Sequence, residues 1–355
     1  MNHACACHRF RPDRATHLTA LVIRASDPAC QRRFAAALHA HGVPVRDQPA
    51  GVCVETGELS ALGELFQTLS PADRASLHAV PVVPDGPEPW ALKPLGSWLA
   101  RLSSPWFSEA ARQLAFHAQP IVCLNGGEVF GYEALVRARQ GERLIGAGAL
   151  LEAASAHEEL RAFDAHCRTA AIEQLYPRLG AGEALFINFA PGVIYNPDVC
   201  LQTTFQACRA VDADFSRLVF EITEGEAYPD LRLLRSIIDR YRQEGARVAL
   251  DDLGSGHTSL SYLAELRPDF VKIDQMLVRQ MSESAAAVRL VRSLTEYAHE
   301  LGSRVVAEGI ETLDLLEAAG QTGVDFVQGY YLGRPSQELS GVLPGARSWW
   351  AASRP

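Results

Sequence analysis

Lysine is nearly absent from this chain of 355 residues: of 33 basic side chains only Lys93 and Lys272 are lysines. Positive charge is in deficit as a whole, since 42 acidic residues leave a net charge of −9. A general nucleic-acid binder would carry a basic face, so no nucleic-acid polymer is expected as a partner. No stretch approaches 18 consecutive apolar residues, which excludes the usual membrane span. Residues 1–14 hold three arginines and no apolar run of signal-peptide length. The eight cysteines are irregularly spaced, and a chain of this size does not need disulfides. A reducing cytoplasm is the expected location. Cys5, Cys7 and His8 form a short cluster whose alternatives are inert thiols or a metal or redox site shared with Cys30 and Cys53. Cys-x-Cys-His is not a zinc spacing.

Apolar residues are not lacking. They make up 48% of the chain, enough for a core, and the length suits two domains or one large domain with an extension. Residues 1–110 balance 10 basic against 10 acidic side chains, so the acidic surplus lies in 111–355, with 23 against 32. The opening region reads as strand 18–24, helix 27–41, strands 43–46 and 52–55, helix 59–69 and strand 77–83. That order fits a small α+β, ferredoxin-like domain over 1–89. Pro84, Gly86, Pro87 and Pro89 mark its end. Helices near 90–102 and 107–114 make 90–114 a connector. No nucleotide loop occurs here, and a regulatory role with an unknown protein partner rests on domain order alone.

From 115 onward short apolar runs recur at 129–133, 185–188, 218–221, 248–251, 270–273, 305–307 and 326–328. Helical patterns fill gaps at 147–157, 164–175, 231–244, 285–301 and 313–319. This α/β alternation predicts a (β/α)8 TIM-like barrel over 115–340, with 341–355 as a tail.

Nearly every one of these strands finishes at a polar residue: Glu133, Asn188, Glu221, Asp251, Lys272, Glu308 and Gln328. In such a barrel the carboxyl ends of the strands converge on the face that carries active sites. Four carboxylates crowded there repel one another, which only cations or raised pKa values relieve. All-oxygen ligands favour magnesium or manganese. Asp251-Asp252 at one strand end could serve two ions roughly 3.5–4 Å apart, the arrangement suited to phosphodiester cleavage. The same pair could instead cap a following helix. Lys272 inside the apolar run Phe270-Val271-Lys272-Ile273 points to chemistry, because an ammonium is a compact charge that guanidinium cannot replace. A solvated edge-strand lysine is the alternative. Glu308 and Glu311, like Glu221 and Glu224, pair a strand-end carboxylate with another three residues on, and Glu311 could equally start a helix. Phe189, Phe220, Tyr262 and Phe270 read as packing residues.

Taken in order, these segments resemble the EAL-domain cyclic di-GMP phosphodiesterases. The naming motif stands as Glu133-Ala134-Leu135 within 131–137. Gln119-Pro120-Ile121, Ile187-Asn188, Glu221-Ile222-Thr223-Glu224 and Asp251-Asp252-Leu253-Gly254-Ser255-Gly256 follow collinearly. Lys272-Ile273-Asp274, Ala307 to Thr312, Gln328-Gly329-Tyr330 and Pro335 complete the match. The resemblance implies a modified (β/α)8 barrel with one antiparallel strand and hydrolysis of cyclic di-GMP to linear pGpG with magnesium or manganese, two ions per site. It implies Glu133, Asn188, Glu221, Asp251 and Asp252 as metal ligands and Glu308 as ligand or base. Lys272 and Gln328 would orient the attacking water, and Gln119, Leu135 and Arg137 would contact substrate, Arg137 at a phosphate. Glu224 would brace the loop 253–260, Glu311 would support the site from behind, and the barrel would form a homodimer. Leu253 and His257 stand where phenylalanine and another aromatic are more usual, and Ala190 where serine often follows the asparagine. No Gly-Gly-Asp-Glu-Phe motif for synthesis occurs. A catalytically silent receptor for the same dinucleotide is the alternative, although no metal carboxylate is missing. An enolase-type lyase using lysine as base is a third, disfavoured by the Glu-Ala-Leu and Gln-Gly-Tyr segments.

Overall fold

The computed structural model describes residues 18–49, 51–84, 86–88, 91–222, 230–254 and 260–353. Cys5, Cys7, His8, Glu224 and His257 lie outside these residues. Two compact units are present. Among the described residues, one takes 18–112 together with Gly148–Glu159, and the other takes Gln113–Ala147 and the chain from Leu160 onward.

The first unit runs β1 (Ala20–Ala25), α1 (Pro28–Ala40), β2 (Arg46–Gln48), β3 (Gly51–Glu55), α2 (Leu59–Thr68), α3 (Pro71–Ser76) and β4 (Leu77–Val83). Asp27 starts α1 by accepting the Cys30 N–H at 2.8 Å, with Pro28 in the first turn. The sheet order β2-β3-β1-β4, antiparallel throughout, is the ferredoxin-like arrangement expected from the sequence. Alternation along the strands sends Leu21, Ile23, Val52 and Val54 into a core with Phe34 and Leu38 of α1 and Leu62 of α2. Cys30 belongs to this core, whereas Cys53 packs with Val22 on the other face of the sheet, so the two thiols do not form one site. The expected strand at 43–46 is displaced to Arg46–Gln48, because Val43 is needed in the core and not at the sheet edge.

The stretch read as a connector belongs to this same core. Short strands β5 (Gly86–Pro87) and β6 (Lys93–Pro94) pair with β4, and α4 (Leu95–Leu102) buries Leu95 and Trp98. The indole Nε1 of Trp98 donates to the Ala79 carbonyl at 3.2 Å. Helix Ala147–Ala156, expected within the barrel, falls almost wholly in this unit. Lys93 forms an ion pair with Glu158 just beyond it.

The second unit contains β7 (Leu114–Cys123), β8 (Val129–Gln140), β9 (Arg143–Gly146), β10 (Ala184–Phe189), β11 (Leu218–Ile222), β12 (Arg247–Leu253), β13 (Phe270–Ile273), β14 (Arg304–Ala307) and β15 (Phe326–Gln328). Strands β10 to β15 pair in sequence order and in parallel; β15 joins β7, β7 joins β8, and β8 closes onto β10. β7 is antiparallel to both neighbours, giving a closed eight-stranded barrel with one reversed strand. β9 extends β8 as a hairpin.

The barrel interior is built in layers. Ala184, Phe186, Val219, Ala249, Phe270, Val306 and Phe326 form one buried cluster with Ile121. Six of them lie two residues before a polar strand-end residue: Phe186 before Asn188, Val219 before Glu221, Ala249 before Asp251, Phe270 before Lys272, Val306 before Glu308 and Phe326 before Gln328. Because side chains repeat on one face every second residue, an apolar layer fixes a polar layer directly above it. The rings of Phe130, Phe186, Phe270 and Phe326 lie 4.3–6.2 Å apart. Arg247 and Arg304, at the starts of β12 and β14, lie 4.4–5.7 Å from the rings of Phe130 and Phe270, and Arg304 also lies 5.3 Å from that of Phe326.

Candidate active site

Lys272 is the centre of the polar layer. Its side chain is 1% exposed, and its Nζ lies 2.6 Å from Glu308 Oε1, 3.1 Å from Glu221 Oε1, 3.4 Å from Asp251 Oδ1 and 3.5 Å from Glu133 Oε2. Burial alone would lower the ammonium pKa, but Asp251, Glu133, Glu221 and Glu308 together hold it well above its usual value. Its positive charge is therefore fixed. The reading of Lys272 as a site residue is consistent with this placement, and the edge-strand alternative is not.

The carboxylates respond in opposite ways. Burial raises Glu308 to about 8, with Lys272 opposing and Asp251 and Glu133 adding repulsion. Burial likewise raises Asp251, and raises Glu221 strongly, against the attraction of Lys272. Glu133 is also pushed up by burial, yet Lys272 and hydrogen bonds from Asn188 and Gln328 bring it below the ordinary range. Asn188 Nδ2 donates to Glu133 Oε1 at 2.8 Å, and Gln328 Nε2 donates to Glu133 Oε2 at 2.7 Å. Gln119 lies beside them: Gln328 Nε2 reaches its Oε1 at 3.4 Å, and its own Nε2 donates to the Gly333 carbonyl at 3.3 Å.

Asp251 and Asp252 share the site only because the strand is irregular. Neighbouring residues of a regular strand point to opposite faces. Here the β12–β13 register shifts between Leu250 and Leu253, and Asp252 adopts φ 57°, a left-handed conformation that aspartate tolerates better than most residues. Oxygens of Asp251, Asp252 and Glu308 consequently lie within 4.8 Å of one another. The Asp252 N–H donates to Asp251 Oδ1 at 2.9 Å, which helps hold the turn.

Two glycines allow the next loops to close in. Gly309 has φ 70°, and a Cβ there would lie 2.5 Å from Gln275 Cβ. A Cβ on Gly329 would meet the Ile310 carbonyl oxygen at 2.2 Å. The loops after Glu308 and Gln328 can therefore interlock, with Ile310 N–H donating to the Gln328 carbonyl at 3.0 Å.

A cavity of about 350 Å³ opens over this layer. Its lining includes Gln119, Glu133, Asp251, Lys272, Glu308 and Gln328, as expected, and also Gln275, Arg279 and Tyr330. Gln275 and Arg279 were not singled out from the sequence, and Tyr330 stood there only within the Gln328-Gly329-Tyr330 segment. Their signal was position, since Gln275 follows the Lys272 strand by two residues and Tyr330 follows Gln328 by two. Glu311 stands on the cavity wall, half-exposed and paired with Arg279 at 2.7 Å, apart from the carboxylate cluster. The helix after it is capped by Thr312, whose Oγ1 accepts the Leu315 N–H at 3.3 Å, so Glu311 is not the cap. Leu135 and Arg137 lie on the Glu133 side of β8 by alternation but do not line the cavity, and Arg137 Nη1 donates to the Val136 carbonyl at 2.8 Å. Leu253 is buried, and Ala190 uses its main-chain N–H, which donates to Asp164 Oδ1 at 2.9 Å.

The site also fits divalent cations. Glu221 Oε2 is buried without a hydrogen-bond partner, Glu221 Oε1 meets only the Lys272 ammonium at 3.1 Å, and Gln328 Oε1 is likewise buried without a hydrogen-bond partner. A buried, unpaired carboxylate oxygen at a hard-oxygen cluster is what a divalent cation would satisfy.

The EAL domain profile matches residues 106–335. The chain belongs to the EAL domain family. Among curated relatives of this EAL chain, an uncharacterized protein of Azorhizobium caulinodans is 32% identical over 240 residues, covering 65% of this chain and 32% of its own length. The "probable cyclic di-GMP phosphodiesterase PdeG" of Escherichia coli K12 is 33% identical over 165 residues, covering 44% of this chain and 31% of its own. This chain thus spans about a third of the length of those relatives. Among solved structures, a standalone EAL protein from Vibrio cholerae O395 in its c-di-GMP-bound form aligns with TM-score 0.58 and 32% identity, covering 65% of this chain and 96% of that one. The EAL match begins before β7 and ends before the C-terminal helix Pro344–Ser353.

Proposed function

We propose that this chain is a cyclic di-GMP phosphodiesterase that opens the cyclic dinucleotide to linear pGpG with magnesium or manganese. The observation that carries the reading is the intact set of strand-end groups around Lys272, within the described residues. Glu133, Asn188, Glu221, Asp251 and Asp252 would hold two ions, with Glu308 as ligand or base. When bound, such ions acidify a water and neutralise phosphate charge.

The chain's own groups supply the rest. Lys272 keeps a proton in a site where its charge is not screened by water, so it offsets the negative charge that grows on the phosphorus oxygens. Its anchoring by four carboxylates fixes that charge in place before substrate arrives. Gln328 and Asn188 hold Glu133 in one rotamer, so its carboxylate needs no reorganisation when a cation enters. Glu308, with its raised pKa, is suited to accept a proton near neutral pH when cations do not claim it. Arg279 on the cavity wall offers positive charge for an anionic ligand. The relatives' names and the dinucleotide-bound Vibrio cholerae structure support the choice of substrate.

The test is incubation of the purified chain with cyclic di-GMP and either cation, followed by chromatographic separation of products. Formation of pGpG supports the proposal. Binding of the dinucleotide with no product under either cation would leave the silent receptor instead. A Glu133→Ala chain should lose turnover altogether, and retained product formation would remove Glu133 from the ligand set.

A further inference from the structure

Behind β10 lies an ion pair that the site chemistry does not use. Asp164 and Arg168 sit one turn apart on helix Leu160–Leu175, joined by a hydrogen bond from Arg168 Nη1 to Asp164 Oδ2. Arg168 is 1% exposed and Asp164 6%. Arg168 Nε also donates to Thr204 Oγ1 at 3.2 Å, and Thr204 is fully buried. Burying both charges is costly, and an apolar pair of equal volume would commonly serve stability as well or better. The pair therefore calls for a reason other than stability.

That reason lies in the second oxygen of Asp164. Oδ1 accepts the main-chain N–H of Ala190 at 2.9 Å. Ladder pairing of β10 with β11 ends at Phe189, and Pro191 has no N–H to offer. The Ala190 amide, one residue past β10, is thus the last main-chain donor before Pro191, and Asp164 takes the place of a neighbouring strand for it. Asn188, two residues earlier, points its amide at Glu133 at 2.8 Å.

We propose that Asp164, locked by Arg168 and Thr204, is a positioning residue for Asn188. By clamping the Ala190 N–H it fixes where β10 ends and hence where the Asn188 carboxamide faces the cation site. Arg168 holds the carboxylate in one rotamer so that Oδ1 stays aimed at the main chain. The inference rests on reading the strand-end cluster as a divalent-cation site.

Two double variants of the full chain separate this role from general stability. Asp164→Ala with Arg168→Met removes both charges and the clamp. Asp164→Asn with Arg168→Met removes both charges but keeps an oxygen for the Ala190 N–H. Manganese binding is read from the free-ion electron paramagnetic resonance signal, without substrate, alongside the thermal midpoint. The alanine variant should bind manganese about tenfold more weakly than wild type. The asparagine variant should stay close to wild type. Equal binding by the two variants would overturn the clamp. Absence of manganese binding by the wild-type chain would instead overturn the cation-site reading, and this inference with it. A measurement on the native chain covers the case in which the alanine variant does not fold. If the clamp and Asn188 are coupled, manganese should slow hydrogen exchange of the Ala190 amide severalfold, since coupling is reciprocal. An Ala190 exchange rate unchanged at saturating manganese would also overturn it.

Discussion

Lys272 and Glu308 show how one charge organises the others. Lys272 Nζ touches four carboxylates within 3.5 Å in a space where its side chain is 1% exposed. A guanidinium is planar and broader, and cannot occupy that point without displacing a carboxylate. Lys272→Arg should therefore lose most activity while keeping the charge, and a near-normal kcat would undo the argument. Glu308 makes a prediction for the metal-free protein. Its folded-state pKa of about 8 exceeds the ordinary 4.5, so the folded chain holds a proton that the unfolded chain releases. That contribution to stability is fully present below about 4.5 and is lost as pH rises to about 8. Asp251 and Glu221 are raised as well and act in the same direction, while the lowered Glu133 changes stability only below 4.5, outside this window. In chelator, thermal midpoints should fall across this window, and Glu308→Gln should flatten the fall. An unchanged slope in the variant would assign the proton elsewhere.

At the scale of the element, the bulge in β12 is the feature on which the Asp251-Asp252 pair depends. A left-handed conformation costs roughly 1–2 kcal/mol for an ordinary L-residue, and less for Asp or Asn. Asp252→Asn should accordingly fold with a near-wild-type melting temperature and lose turnover. Asp252→Val should in addition lower stability by about that 1–2 kcal/mol, measured by denaturant unfolding. Equal stability of the two variants would mean the bulge relaxes at no cost. The layered strands carry the complementary cost. Phe270→Ala would empty the aromatic layer beneath Lys272 and should destabilise by about 3–5 kcal/mol. The apolar runs that predicted these strands were legible because a strand's period is local. The bulge was not, since nothing in Leu250-Asp251-Asp252-Leu253 distinguishes it from an acidic turn that caps a helix.

For the whole molecule, the boundary between units differs from the one that composition marked. Proline and glycine at 84–89 end the expected domain, yet Leu95 and Trp98 lie in the same core as β1 and β4. Gly148–Glu159 joins that unit as well, with His157 Nε2 3.1 Å from Ser104 Oγ and Glu158 paired to Lys93. A chain beginning at residue 113 would keep the barrel strands but strip helix Ala147–Ala156 of this packing. It should melt below the full chain, by differential scanning calorimetry, and an equal melting temperature would show that the helix needs no such support.

The sequence by itself determined the alternation of strands and helices, the ferredoxin-like order of the first unit and the polar residues at the strand ends from Asn188 to Gln328. These follow from periods of two and 3.6 residues, which are properties of neighbouring residues. Glu133, expected to end its strand, lies instead inside β8, because pairing with β7 and β9 carries that strand on to Gln140. The resemblance implied one antiparallel strand, but only the tertiary structure decided that it is β7, between β15 and β8, because a strand's direction depends on partners distant in the chain. It alone placed four carboxylates around one ammonium, set Asp252 beside Asp251, and aimed the buried Asp164 at the Ala190 amide. Those are relations between residues brought together by barrel closure, and closure is a property of the whole set of strands.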